Sequence, residues 1–393
     1  MKTDTFFTRL IRFIQIFFSL GLIKGLIGQA LGTAVGFGLV TIVRDAQGLE
    51  ENPDLAVLLG GLLGVILFLL FAGVLGDWLR WAMGKETHLR HGPPEHKPAW
   101  TRYFSVDTNH KVIGVQYTVT AILVLLIGGL LAIIFRIELS YPGMQFLNPD
   151  QYNTLFSAHG IIMIVSILLG VGGMINYLVP LMIGASDMAY PRLNAFSYWV
   201  AVPAAVLLLL GIAVGGWDTG WVGYPTLSTS SVLIGVQFFL LGFYVVGFSS
   251  IASSINTIIT VFTMRAPGMG MFRMPIFVWG ALAASLIQVT ATQTVSVALL
   301  MVLVERAFGL TFFDPTNGGD PLLYQHLFWF YSHPVVYVFV LPGLGVISEL
   351  IPVFARKPLF GYKWIALSSI AIALVGFLVW AHHMFVSGMD DSL

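Results

Sequence analysis

Long apolar runs recur along this chain, and they restrict its fold more than any other feature. A run of about 18 or more apolar residues is long enough to cross a bilayer as a helix. Nine such segments are expected, at about 27–43, 55–77, 112–135, 155–184, 197–215, 232–262, 275–303, 323–352 and 364–387. Composition points the same way: 57% of residues are hydrophobic and only 10% charged, where a globular domain has about 25% charged. The 42 glycines suit helices that pack closely in lipid, where small residues let backbones approach. A net charge of zero leaves no basic face for nucleic acid, and the lack of cysteine excludes disulfides, thiolate metal sites and cysteine nucleophiles. The expected fold is an all-α, polytopic transmembrane helical bundle.

Residues 1–24 are amphipathic and basic, with Phe6, Phe7, Leu10, Ile11, Phe13, Ile14, Phe17 and Phe18 beside Lys2, Arg9, Arg12 and Lys24. No small-residue cleavage site closes an uncharged core, so an interfacial helix is preferred to a cleaved signal peptide. Residues 79–111 form a polar stretch with His88, His91, Pro93, Pro94, His96 and Pro98. A solvated linker is the favoured reading over a surface metal site, because the spacing fits no ligand pattern. The loops 79–111, 185–196, 264–274 and 353–363 carry twelve Lys or Arg, whereas 136–154, 217–231 and 304–322 hold only Arg136 and Arg306. That asymmetry puts the first set, and the N-terminus, on the cytoplasmic side.

Ionisable side chains inside such spans mark function by default. His333 lies about a third of the way down a span entered from outside, and His382 and His383 lie near the outer end of a rising one. The three are therefore expected at similar depth. Adjacent histidines on a helix point about 100° apart, yet one ion between them, facing a third, can take all three. Imidazoles without a carboxylate or thiolate suit copper, zinc or iron; a hydrogen-bonded packing cluster is the bland alternative. Tyr337 follows His333 at i+4 on the same face, either as a packing side chain or as a redox partner of the metal. His159 is a further intramembrane histidine. Axial haem ligation, with Gly160 leaving room for a large planar group, and a satisfied structural role are equally open for it.

Ordered motifs now add to these readings. They are Asp107-Thr108-Asn109-His110-Lys111, Arg136-Ile137-Glu138-Leu139, His159-Gly160, Asn176-Tyr177-Leu178-Val179-Pro180, Ser186-Asp187-Met188-Ala189-Tyr190-Pro191-Arg192-Leu193-Asn194, Met264-Arg265-Ala266-Pro267-Gly268-Met269, Gly318-Gly319-Asp320-Pro321, His333-Pro334 with Tyr337, and Trp380-Ala381-His382-His383. Over about residues 101–390 the chain resembles subunit I of the haem–copper terminal oxidases. Residues 1–100 then read as a two-span N-terminal extension, and 101–393 as a core holding the first seven of the family's twelve helices.

The resemblance implies reduction of dioxygen to water with electrons from cytochrome c, coupled to proton pumping across a bacterial cytoplasmic membrane. Subunit III and a copper-bearing subunit II are the implied partners, and copper with two a-type haems the implied cofactors. His333, His382 and His383 match the copper ligands, and Tyr337 the tyrosine covalently joined to the first of them. His159 matches an axial ligand of the low-spin haem and Arg136 the arginine at that haem's formyl group; taken alone, Arg136 reads as a snorkelling cation. Asp187 matches the acid at the mouth of a proton channel and Asn176, Asn194 and Asn256 its asparagines, although Asp187 alone reads as a loop carboxylate near Arg192. Val335 stands where many members have a glutamate. Tyr331 and Ser332, at i−4 and i−3 from it, resemble the subgroup in which a Tyr-Ser pair relays the proton.

The family's second axial histidine, its oxygen-binding haem ligand and the lysine of its second channel match nothing before Leu393. A partial or split subunit I is therefore expected, completed by another chain. Quinol oxidases and nitric oxide reductases of the same superfamily remain as rivals, the latter disfavoured by Tyr337. A non-catalytic partial subunit or assembly component is the rival from another class.

Overall fold

A computed structural model describes residues 6–92 and 97–390. The expected linker residues Pro93, Pro94 and His96, and Lys2 of the basic N-terminus, lie outside the described residues. Among those described, thirteen α-helices run in chain order. They are α1 (Phe6–Ser19), α2 (Gly21–Ala46), α3 (Pro53–Ala72), α4 (Val74–Ala82), α5 (His110–Glu138), α6 (Pro149–Ile183), α7 (Pro191–Ala213), α8 (Leu227–Ser230), α9 (Ile234–Thr263), α10 (Ile276–Phe308), α11 (Pro321–Ser332), α12 (Pro334–Ala355) and α13 (Tyr362–Val375). In hydrocarbon a backbone must satisfy its own polar groups, which a helix does within one segment.

Local signals set the helix ends. Asn148 and Gln151 form a reciprocal capping box with Pro149 in the first turn of α6, and Gly184 closes that helix in the left-handed region at φ 73°. Asn52 caps α3, Asn109 caps α5 and Asp320 caps α11, each accepting from a backbone N–H within the first turn.

Eight helical segments are long and apolar enough to cross a membrane, with α11 and α12 forming one of them. The ninth expected span is shorter. Its α-helix stops at Val375 and continues as 3-10 turns over Gly376–Leu378 and Trp380–His383. The backbone runs so close to Tyr337 here that a Cβ on Gly376 would lie 2.7 Å from Tyr337 Cδ2. His382 and His383 are thus carried by a 3-10 turn instead of the α-helix expected for them.

The helices before residue 100 pack on the rest. α2 and α3 meet along glycines: a Cβ on Gly36 would lie 2.6 Å from Gly60 Cα, and one on Gly32 2.7 Å from Gly64 Cα. The opposite face of α3 meets α7 and α9, where Gly61 lies against Leu241 and Leu207. Polar clasps add direction to this docking. Arg306, almost fully buried, pairs with Asp54 at 2.8 Å and donates to the Ser228 and Ser231 carbonyls. Asn52 donates to the Ala307 carbonyl, and Gln29 to that of Pro203. α1 exposes Ile11, Phe13 and Phe18, as an interfacial helix does.

The glycine seam gives a direct test. Gly36→Leu should force α2 and α3 apart at a cost of about 1–3 kcal/mol, read as a lower unfolding temperature in detergent. Gly38→Ala, where no atom lies within 4 Å of the added Cβ, should leave that temperature unchanged.

Candidate metal centre

Proline places the first histidine. Pro334 has no N–H, so the rod formed by α11 and α12 is interrupted directly after His333. His333 itself keeps helical dihedrals and donates its N–H to the Trp329 carbonyl at 3.0 Å. Across from it, the 3-10 turn brings up His382 and His383. His333 Nδ1 stands 3.1 Å from His383 Nε2, and His382 Nε2 stands 3.0 Å from the same atom. One ligand nitrogen from each ring lies within 4.8 Å of the others. Nitrogens bound at about 2.0 Å to one tetrahedral ion sit about 3.3 Å apart, so these imidazoles need only small shifts to hold one. Each close pair is also at N–H···N distance, which keeps the rings together without an ion. His333 is buried, whereas His382 and His383 are exposed.

Two neighbours fix the rings. The Tyr337 hydroxyl lies 2.8 Å from His333 Nε2, leaving Nδ1 for the cluster. The Trp329 indole stacks on His383 at 3.8 Å between centroids and 5° between planes, and its Nε1 donates to the Tyr224 hydroxyl. Trp329 was not legible as a site residue beforehand. Its signal was the position one turn before His333, which turns it towards the same face.

His159, on α6, donates Nδ1–H to the Gly128 carbonyl at 2.9 Å, which orients the ring and leaves Nε2 with its lone pair. Phe135 packs edge-on against it at 5.4 Å, so Arg136 sits on the neighbouring stretch of α5. Arg136 is exposed. The space beside Gly160, expected for a planar group, is filled by Trp221: a Cβ there would lie 3.0 Å from Trp221 Cβ.

The profile of the family described as Cytochrome C and Quinol oxidase polypeptide I matches residues 112–393. The chain belongs to that family. It is 48% identical over 299 residues to cytochrome c oxidase subunit 1 of Thermostichus vulcanus, covering 75% of this chain and 54% of the relative. Against the protein of that name in Synechocystis sp. it is 48% identical over 290 residues, covering 74% and 53%. Against the probable cytochrome c oxidase subunit 1-beta of Nocardia farcinica it is 46% identical over 304 residues, covering 76% and 51%. The chain spans about half the length of the curated relatives it matches.

In this oxidase-family chain a polar track runs through the core from the loop after α6. Asp187 is buried, not exposed as expected of a proton-collecting acid. Its Oδ1 accepts from the backbone N–H groups of Met188 and His110, while Oδ2 has no hydrogen-bond partner and lies 3.8 Å from His91 Nδ1. Arg192, expected beside it, turns instead to Thr87 and Asp77. Burial pushes the Asp187 carboxyl above its ordinary range, against the opposing pull of the Met188 N–H and of His110 and His91.

The asparagines differ in what they offer. Both amide atoms of Asn194, and Asn176 Oδ1, are buried without a partner, the condition in which an amide needs water or another polar group. Asn256 pins the loop, spending one N–H and one oxygen lone pair on the Tyr190 backbone and keeping a second of each. Ser197 donates to the Asn194 carbonyl, and the Tyr117 hydroxyl links Ser197 to Ser249. Ser249 lines a cavity of about 50 Å³ with Ser253, Ser254, Thr257, Ser285, Gln288 and Val338. That volume is enough for roughly three waters. Val338, on α12, is one residue after Tyr337. These hydroxyls were missed in the sequence, although Ser249, Ser253 and Thr257 repeat at i, i+4 and i+8 on one face of α9. Tyr331, Ser332 and Val335 are all buried, and Ser332 Oγ has no hydrogen-bond partner.

Added copper should bind the purified protein but not the His383→Ala variant, with the same helical circular dichroism in both. Metal analysis of wild type and variant checks this, and retained copper would count against the cluster.

Proposed function

We propose that this chain supplies the copper side of the oxygen-reducing centre of a respiratory terminal oxidase. The observation that carries the reading is the convergence of His333, His382 and His383, with Tyr337 hydrogen-bonded to the first of them, in a chain of this family. Copper held there supplies one-electron redox chemistry. The protein's own part is to orient the imidazoles and to supply protons. An ion at His333 Nδ1 selects the tautomer in which Nε2–H donates to the Tyr337 oxygen. The phenol proton is then free to leave, and Tyr337 becomes a source of both a proton and an electron. The resemblance also implies a covalent His333–Tyr337 link, which would replace that Nε2–H donor, and the two rings already meet at His333 Nε2 and the Tyr337 hydroxyl.

His159 is assigned to the low-spin haem, with Arg136 at its edge. Three other histidines are engaged elsewhere, His110 with Asn176, His326 with Trp380 and His91 with Asp187. The resemblance assigns the other axial nitrogen and the ligand of the oxygen-binding haem to none of these histidines. Protons would travel from Asp187 past Asn176 and Asn194 and through the serine cavity to Tyr331 and Ser332. The mouth of that path lies at the end of the bundle with the basic loops, which the charge asymmetry places on the cytoplasmic side of a bacterial membrane. Helices α2 to α4 form an extension docked on the core. Cytochrome c, a copper-bearing subunit II and subunit III are the proposed partners, electrons arriving through subunit II.

The test is to purify the chain with its partner subunits and record a reduced-minus-oxidised spectrum with carbon monoxide. A CO-reactive haem, bound copper and oxygen consumption with cytochrome c are expected. Absence of haem from the assembled complex would reject the oxidase reading, iron in place of copper would indicate nitric oxide reduction, and turnover with quinol alone would change the donor. Within an active complex, Tyr331→Phe with Ser332→Ala should slow oxygen consumption by about 10²-fold or more while both haems stay bound. A wild-type rate in that double variant would remove the pair from the proton path.

A further inference from the structure

The stretch between α4 and α5 lies before the family match, which begins at residue 112. It was expected to be a solvated linker, and residues 83–86 and 88–91 are exposed, but Thr87 and Arg90 tie it to α7 and α4. The Arg90 carbonyl accepts from both the backbone N–H and the hydroxyl of Thr108, at 3.0 and 2.9 Å. The Arg90 side chain reaches Asp77 of α4 at 3.3 Å. Arg192 of α7 donates to the Thr87 hydroxyl at 2.7 Å and lies 4.0 Å from Asp77. These contacts set His91 over Asp187. The charged and titratable groups around the pair are His110 from α5, Asp77 from α4, Arg90 from the linker and Arg192 from α7.

From this geometry we infer that His91 is the proton-collecting group of the path that starts at Asp187, and the inference rests on the function proposed above. The Asp187 side chain is only 12% exposed and its Oδ2 is buried without a hydrogen-bond partner, whereas the His91 side chain is 40% exposed and presents Nδ1 3.8 Å away. The imidazole is thus the polar group with one side in solvent and the other facing the orphaned carboxylate oxygen. A separation of this size is closed by a small ring movement or spanned by one water molecule. The transfer balances simply. Imidazolium Nδ1–H gives its proton to Asp187 Oδ2, leaving a neutral imidazole and a neutral carboxyl; solvent reprotonates the ring, and the carboxyl passes its proton inward to the asparagines. Imidazole suits this step because it changes charge between about pH 5 and 8.

The experiment uses the oxidase complex with its partner chains. His91→Ala should lower oxygen consumption increasingly between pH 6 and 8, reaching about tenfold at the upper end, because free protons become scarce while an imidazole still cycles. Added imidazole should restore the rate. His91→Lys keeps a positive charge but holds its proton throughout that range, so it should stay slow. An infrared readout needs no turnover: the Asp187 carboxyl band, assigned by its loss in Asp187→Asn, should titrate at higher pH in His91→Ala, since a facing cation has been removed. A wild-type pH profile in His91→Ala, or full activity in His91→Lys, overturns the assignment of His91 while leaving the oxidase reading intact. If Asp187→Asn itself turns over at the wild-type rate, the path from Asp187 fails and the role of His91 falls with it.

Discussion

An apolar bundle offers a polar side chain no water unless the protein builds a place for it, and the internal organisation of this molecule depends on that constraint. Each unpartnered group in hydrocarbon costs several kcal/mol, so buried polar atoms gather where they can serve one another. Buried His333 forms one such gathering with Tyr337 and with the exposed His382 and His383. The hydroxyls of Ser197, Tyr117 and Ser249 form another, and Arg306 with Asp54 and two carbonyls forms a third. Among the buried atoms left without a partner, those of Asn176, Asn194, Ser332 and Asp187 lie along the proposed proton path, while others, such as Gln29, Gln237, Trp199 and Trp217, lie away from it. Along the path, vacant hydrogen-bonding capacity is what a file of water would use.

Close approach is the other half of the architecture. Glycines let α2 lie on α3 at Gly36 and Gly60, and let the segment after α13 pass Tyr337 at Gly376. The second contact bears directly on the metal centre. Because the chain unwinds there, His382 and His383 reach the cluster from a 3-10 turn and leave room for the phenol against His333. Pro334 breaks the backbone ladder on the facing rod directly after His333. Two local interruptions of regular helix, on opposite sides, thus shape one site.

Much of this was legible residue by residue. The i, i+4 spacing of His333 and Tyr337 requires one face, and the structure puts hydroxyl and ring nitrogen in contact. The charge alternation of the loops placed His333 at the depth of His382 and His383, and the three meet. Gly160 was misread because a missing side chain says only that something approaches, and the approaching group is Trp221. Asn256 was read as a channel amide, and its bonds to the backbone of Tyr190, 66 residues away in sequence, were not legible there. Asp187 alone was read as a loop carboxylate near Arg192, but Arg192 turns to Thr87 and Asp77, and the linker that faces Asp187 comes from a part of the chain about a hundred residues earlier.

The amino-acid sequence by itself determined the helices, their crossing of a membrane and the identity of the histidine cluster. Run length, caps and side-chain periodicity are local properties, and an ionisable group within an apolar run is conspicuous wherever it lies. Only the tertiary structure decided which nitrogen of His333 faces the cluster, that Trp329 holds the plane of His383, and that His91 stands over Asp187. Each of these is a contact between segments far apart in the chain, chosen by packing and by the need to pair buried polar atoms, and neither is written in any single stretch of residues.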